Sequence, residues 1–571
     1  MKPSTPAIVA QGAVSRLPRI ALWLFCLAYV LPGFLGRGPW KSADISAFGY
    51  MAELARGSSS WLSPTLLGTP PEVDALLPYW LGAWSILLAP AWIAPDLAAR
   101  IPFIGLLTLA LLATWYGTYY LARSPDAQPV AFAFGGEASP LDYARALADG
   151  GLLAFIACLG LAQLAHETTP ALTQLCFTAL SFFALAALPY RLGTAMLCGI
   201  LGLTGLALSG APTMAILFGA GGACIHLFDR LAAPQTLRRK VLFAGGIAVL
   251  TVLVALLSVG LNLWRWRIDL PESSWSEWRS LGRLLLWFTW PAWPLALWTL
   301  WRWRRQLLRG GLPSRHLALP LWFSAVAIGA TLTTASADRS LLLALPALAA
   351  LAAFSLPTLG RSVAALIDWF TLLFFSGCAL IIWIVWIALQ TGVPKQPAVN
   401  VARLAPGFEH SFSLTPFVVA MAASLAWVWL VRWRVGRHRS AIWKSLVLPA
   451  GGAALCWLLL MTLWLPLLDY ARSYAPLVRR SMIVMQQQPR CVETYGLSQS
   501  QSAAFQFHGK LALKPLGTQA ICPWLIVDKS TIKQLPALID QNLWRLHSSM
   551  HHPADRNDDV LIYKRRDQSE L

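Results

Sequence analysis

A polytopic α-helical membrane bundle with a small soluble α/β module behind it is the fold class the sequence predicts, and three observations predict it. The 571 residues are 57% hydrophobic and only 12% charged, where an ordinary soluble domain is about 25% charged. Apolar runs of about 20 residues, the length a helix needs to cross a hydrocarbon core roughly 30 Å thick, recur from Ile20 almost to Tyr470. After Asp469 the composition becomes that of a soluble module, so the chain divides into 1–469 and 470–571.

Taken in order, the runs begin near Ile20, Leu76, Ile101, Gly150, Ala171, Leu192, Thr213, Val241, Leu284, Ala318, Leu341, Ala365, Thr415 and Trp443. No small-x-small cleavage site precedes Gly36-Arg37-Gly38, so the first run reads as an uncleaved helix rather than a signal peptide. Charge sets the orientation. Segments 229–240, 302–315 and 432–444 are densely basic, and the positive-inside rule puts them in the cytoplasm with Lys2, Arg16, Arg19 and the N-terminus. An even number of crossings must then separate Ile20 from Phe228, yet seven of the runs named above begin there. The short runs of 192–228, broken at Ser209-Gly210-Ala211-Pro212, are the expected miscount, as one interrupted pass or a re-entrant segment. About 13 crossings result. Segments 36–75, 123–149, 265–283, 336–339, 392–413 and everything after Asp469 are then external, which makes the last module periplasmic in a bacterial inner membrane.

In that module 492–497 and 523–528 read as strands, 498–507 and 530–546 as helices, and 560–564 as a last strand. All nine cysteines except Cys491 and Cys522 sit inside apolar runs. An oxidising compartment favours a disulfide between those two, with a pair of free thiols as the alternative.

The net charge of +19 would suggest nucleic acid in a soluble protein. Here it marks topology, and Trp264-Arg265-Trp266-Arg267 and Trp301-Arg302-Trp303-Arg304-Arg305 read as interfacial aromatic belts with snorkelling arginines. The partner expected is the lipid bilayer and not nucleic acid. His166-Glu167-Thr168-Thr169 lacks the second His that a zinc site requires, and is expected as a helix-end turn on the cytoplasmic side. His547, His551 and His552 read as an exposed polar loop.

The first external loop carries the chemistry. Phe48, Met51 and Leu54 recur at helical spacing and Gly57 is a stop, so a helix lying along the membrane surface is predicted, opened by Asp44. There follow Trp61-Leu62-Ser63-Pro64-Thr65-Leu66-Leu67-Gly68-Thr69-Pro70 and Leu77-Pro78-Tyr79-Trp80. This order resembles the GT-C superfamily of glycosyltransferases, and within it bacterial lipid A aminoarabinose transferases and protein O-mannosyltransferase relatives. Those proteins share an acidic pair opening an interfacial helix, a W-x-x-P-x-L-x-G-x-P turn and an E-K-P-P-L-x-Y-W type segment. Asp338-Arg339-Ser340-Leu341 and the residues to Leu348 resemble their late R-Y-x-L-P-x-x-P-x-L span. Two departures stand out: Ala43-Asp44 replaces the acidic pair, and Val73-Asp74 replaces Glu-Lys, with Glu72 displaced by one.

The resemblance implies transfer of a sugar from a polyprenyl-phosphate donor to an envelope acceptor (lipid A, glycan or protein) at the periplasmic face. Such a donor already has a good leaving group, so one carboxylate base is enough. Asp44 is the expected base, a role compatible with capping the following helix. Lys41, Arg56 and Arg339 are the expected donor-phosphate contacts, with snorkelling anchors as the alternative. Glu72 and Asp74 would position the acceptor or a divalent cation, or belong to an ordinary solvated loop. Tyr79 and Trp80 would line the substrate cavity. Two other classes compete: a non-catalytic scaffold that binds glycan, and a lipid-linked glycan transporter. The transporter needs charges near mid-span, whereas Asp368 sits near the start of its run.

Overall fold

Apolar segments in lipid must satisfy their own backbone, and this chain does so as helices. The computed structural model describes residues 5–229, 237–264, 274–308, 314–334, 337–435, 441–485, 489, 491–517, 522–535 and 543–566. The helices are α1 (Arg19–Val30), α2 (Ala43–Arg56), α3 (Leu77–Leu88), α4 (Pro95–Ala122), α5 (Pro140–Ala157), the single turn α6 (Leu161–Leu164), α7 (Pro170–Ala187), α8 (Leu192–Leu208), α9 (Pro212–Phe228) and α10 (Leu237–Gly260). They continue as α11 (Trp275–Phe288), α12 (Ala292–Arg302), α13 (Arg304–Leu308), α14 (Arg315–Thr331), α15 (Ala337–Leu342), α16 (Leu345–Ser355), α17 (Arg361–Thr391), α18 (Lys395–Leu404), α19 (Leu414–Val435), α20 (Val447–Leu460), α21 (Leu465–Arg472) and α22 (Ala475–Val484). Among the described residues six helices are long and apolar enough to cross a membrane, and shorter apolar ones stand beside them.

The centre of the bundle is α4, α5, α7 and α16, built largely from Ala, Gly and Leu. Small residues let helix backbones approach: a methyl group at Gly202 of α8 would meet the Ser181 backbone nitrogen of α7 at 2.9 Å. Outer helices α10, α17 and α19 bury few of their side chains, as a lipid-facing surface requires.

Contacts sort the connections into two ends. At the first end the Arg100 guanidinium of α4 donates to the carbonyls of Phe34 and Arg37, just after α1. There too the Leu76 N–H donates to the Leu208 carbonyl at 2.8 Å, and Gly160 donates to Phe288 at 2.9 Å. At the opposite end the N-terminal segment reaches Asp142 through Gln11 and Arg16, and Arg123 lies over the Tyr190 ring at 4.8 Å.

This sorting corrects the reading of the runs. The miscounted one is Leu76, not the interrupted pair: α8 and α9 are two separate helices joined at 209–211. Both ends of α3 stay at the first end: Leu76 before it is bonded to Leu208, and the start of α4 that follows it carries Arg100, bonded to Phe34 and Arg37. The correction moves 123–139 to the N-terminal end and brings 158–169 to the end that carries Asp44.

Behind the bundle lies a five-stranded sheet of order β2-β1-β3-β5-β4. Its strands are β1 (Val492–Tyr495), β2 (Leu513–Pro515), β3 (Trp524–Asp528), β4 (Trp544–His552) and β5 (Asp555–Arg565), with α23 (Gln499–His508) after β1. Strand β1 runs parallel to β2 and β3, while β5 pairs antiparallel with β3 and β4. Ser498 and Gln501 form a reciprocal capping box that starts α23. A disulfide joins Cys491 to Cys522. The helix expected at 530–546 is corrected in part: 536–542 lie outside the described residues, and from Trp544 the chain is strand β4. The three histidines expected in a loop therefore sit on that strand, where His551 pairs with Asp559 at 2.6 Å and His552 is buried against the Ser473 carbonyl.

Candidate functional site

Helix α2 begins at Ala43 and ends at Gly57, whose positive φ of 75° closes it with hydrogen bonds to the Glu53 and Leu54 carbonyls. Its buried face carries Ile45, Phe48, Met51 and Leu54. The tail module packs on the same helix: Phe48 meets Phe507 edge-on with centroids 4.7 Å apart, and a methyl group at Gly49 would strike the Ala503 Cβ at 2.7 Å.

Asp44, in the first turn, is 1% exposed. One oxygen accepts from Arg37 Nη1 at 2.6 Å and from the Trp40 N–H at 3.0 Å. The other accepts from the Thr168 N–H at 2.8 Å and from the Thr168 hydroxyl. Burial pushes the carboxyl up, but Arg37, Arg100 and the Thr168 hydroxyl outweigh it and hold it down to about 2. Arg37 is equally occupied, donating also to the Gly33, Gly38 and His166 carbonyls and lying over the Trp40 ring. This is a closed ion pair, not a carboxylate with a lone pair to offer.

One residue before Thr168 stands Glu167, 8% exposed, whose described hydrogen bond comes from the Gln163 amide at 3.1 Å. Burial and then the Asp44 charge push its carboxyl up, while the Gln163 amide, Arg339 and Arg37 pull it down and lose. Arg339 is thus within electrostatic reach of Glu167. Its Nε is buried and has no hydrogen-bond partner among the described residues. The buried Tyr79 feels Tyr50, Glu72, Asp74 and Arg339 together, and the Tyr50 and Tyr79 rings lie 5.4 Å apart. Glu72 is exposed at this rim. Neighbouring His166 is a core residue, packed on Tyr29, Phe34 and Trp457, and burial holds it down to about 4.

The structure therefore gathers Asp44, Arg339, Glu72, Asp74 and Tyr79 at one end, and adds Glu167. It takes other expected residues elsewhere. Lys41 pairs with Asp555 and Asp558 at the tip of the β4–β5 hairpin. Arg56 pairs with Glu53 at 3.2 Å, about 18 Å along α2 from Asp44. The Trp80 indole donates to the Trp61 carbonyl at 2.7 Å and stacks in a Trp61–Trp84 group. Sequence reading passed over Glu167 because it put the His-Glu-Thr-Thr turn on the wrong side; an acidic residue at a span end was the available signal. Among the described residues no three His, Cys, Asp or Glu side chains converge as metal ligands. Glu72 and Asp74 would hold a cation only with oxygens of a substrate completing its shell.

No family model matches the chain, and no curated protein matches it in sequence. Solved structures do match in fold. ArnT from Cupriavidus metallidurans in the apo state is 14% identical with a TM-score of 0.55, covering 95% of this chain and 96% of that one. ArnT from the same organism bound to undecaprenyl phosphate is 13% identical with a TM-score of 0.56 and the same coverage. The chain thus has an ArnT-like fold.

Proposed function

We propose that this protein is a membrane glycosyltransferase that moves a sugar from a polyprenyl-phosphate donor to an envelope acceptor, with Glu167 as the base. The observation that carries this reading is a buried carboxylate, Glu167, with one described hydrogen bond, within electrostatic reach of Arg339, whose buried Nε has no partner among the described residues. An ArnT of the same fold that binds undecaprenyl phosphate supports the donor class. In the reaction, Glu167 accepts the proton of the acceptor hydroxyl or amine as that atom bonds to the anomeric carbon. The bond from carbon to phosphate oxygen breaks, and the oxygen leaves with the electron pair toward Arg339. Asp44 holds Arg37 and Thr168, and through Thr168 the adjoining Glu167; it positions rather than accepts.

The orientation follows from charge. The basic segments cluster at the end opposite Glu167, so that end is cytoplasmic and the site, with module 470–571, is periplasmic. Helices α1, α4, α5, α7 to α10, α12, α14, α16, α17, α19 and α20 then make about 13 crossings of the bacterial inner membrane.

The test is sugar transfer by the purified chain from a labelled polyprenyl-phosphate sugar to an envelope extract, with Glu167→Gln beside it. Transfer by the native chain and not by the variant is expected. Donor binding without turnover by the native chain would mean a scaffold, and movement of labelled donor across a proteoliposome membrane without an acceptor would mean a transporter.

A further inference from the structure

At the opposite end of the bundle from Glu167 lies a cavity of about 150 Å³, between the end of α4, the α7–α8 turn, the end of α9 and the start of α14. Arg315 on its wall is 7% exposed, and its nearest described carboxylate, Asp229, is 4.0 Å away, the outer limit of an ion pair. A guanidinium this buried requires close, hydrogen-bonded anions. Arg123, from another helix, is held over the Tyr119 and Tyr190 rings. His316 is fully buried, lines the same cavity, and neither ring nitrogen has a partner among the described residues. Two guanidinium groups and an imidazole thus converge on one space whose walls also carry Asp126 and Asp229. Lys240, which donates to the Asp229 carbonyl, and exposed Arg191, Arg238 and Arg239 keep the neighbourhood positive.

We propose that this cavity binds the phosphate of an anionic phospholipid from the leaflet facing away from the catalytic end. Planar guanidinium forks match phosphate oxygens, and the unpaired imidazole N–H adds a third donor. A lipid rather than a free anion fits the setting. Leu192 and Met196 of α8, Phe228 of α9, and Leu237 and Val241 of α10 are exposed beside it, where acyl chains would continue. Basic pockets between helix ends on the cytoplasmic side are where lipid head groups bind.

The experiment uses the full chain in phosphatidylcholine nanodiscs, with and without phosphatidylglycerol, read by native mass spectrometry and by thermal melting. Preferential retention of phosphatidylglycerol and a higher melting temperature in its presence are expected. Arg123→Gln, at the half-exposed rim and remote from the catalytic end, weakens retention about tenfold, the loss of one charge-assisted hydrogen bond. Arg315→Gln abolishes it, and because that substitution empties a buried position, Arg123→Gln is the deciding variant. Equal retention of the two lipids, or unaltered retention by Arg123→Gln, overturns the proposal. So does the same rise in melting temperature from inorganic phosphate in pure phosphatidylcholine, which would mean a free-anion site.

Discussion

Two carboxylates at one end of the bundle, Asp44 and Glu167, differ in what surrounds them, and the difference separates holding from reacting. Asp44 accepts four hydrogen bonds, faces a saturated arginine and is held down to about 2. Glu167 has one described hydrogen bond, and burial pushes it up. A base must be able to take a proton near working pH, which favours the carboxylate raised toward it. An oxygen with every lone pair engaged must break structure before it can react.

The sharpest way to break the comparison is at Glu167. Glu167→Gln is expected to lower kcat by about 10²–10⁴-fold with an unchanged melting temperature. In the native chain the acid limb of the pH–rate profile lies above the ordinary carboxylate range, because a raised group loses its basic form sooner as pH falls. A profile flat through that range would remove the base from Glu167.

Asp44→Asn comes next. It leaves Arg37 buried without its counter-charge, a loss of about 3–5 kcal/mol, read as a lower melting temperature with activity falling in step. The pH sign is opposite to that of Glu167. Asp44 is lowered in the folded chain, so its stabilisation is complete above the unfolded value of about 3.9 and is lost as pH falls toward about 2. Full stability with complete loss of turnover in Asp44→Asn would return the base to Asp44.

Arg339→Gln, third, removes a charged donor from the leaving phosphate. It is expected to lower kcat/KM about 10–100-fold while the melting temperature holds, since the buried Nε has no described partner to lose.

How much of this was legible depended on range. Helix α2 with its stop at Gly57, and β1 and β3 of the tail, followed from local spacing and turn chemistry, although the helix starts at Ala43 and takes in Asp44, which was expected before it as a cap. Arg339 was readable as an external cation. The side on which Glu167 lies was not. Leu76 opens a run as apolar as a true span, and its arrest after 12 residues is decided by packing against the start of α4 and the α8–α9 turn. One parity error inverts the next several connections, and it hid Glu167 on the wrong side. Lys41 escaped for another reason: its partners Asp555 and Asp558 lie more than 500 residues away, a distance no local pattern spans.

Lys41 offers the smallest effect and the cleanest discrimination. Sequence reading made it a phosphate contact, and in the structure its ammonium pairs with Asp555 and Asp558 of the β4–β5 hairpin, with side chains of all three partners partly exposed. Exposed pairs contribute about 0–1 kcal/mol. The same loop is held by other contacts: the Lys41 N–H on the Arg472 carbonyl at 2.6 Å, the Gly38 N–H and Trp40 indole on Asp469 at the end of the membrane unit, and Phe48 on Phe507 of the tail. Lys41→Ala is therefore expected to change transfer by no more than about fivefold. Charge exchange, Lys41→Asp with Asp555→Lys and Asp558→Lys, restores what is lost. A hundredfold rise in KM for the donor that the exchange does not rescue would mean that the ammonium touches the phosphate during the reaction, and that the hairpin must release it first.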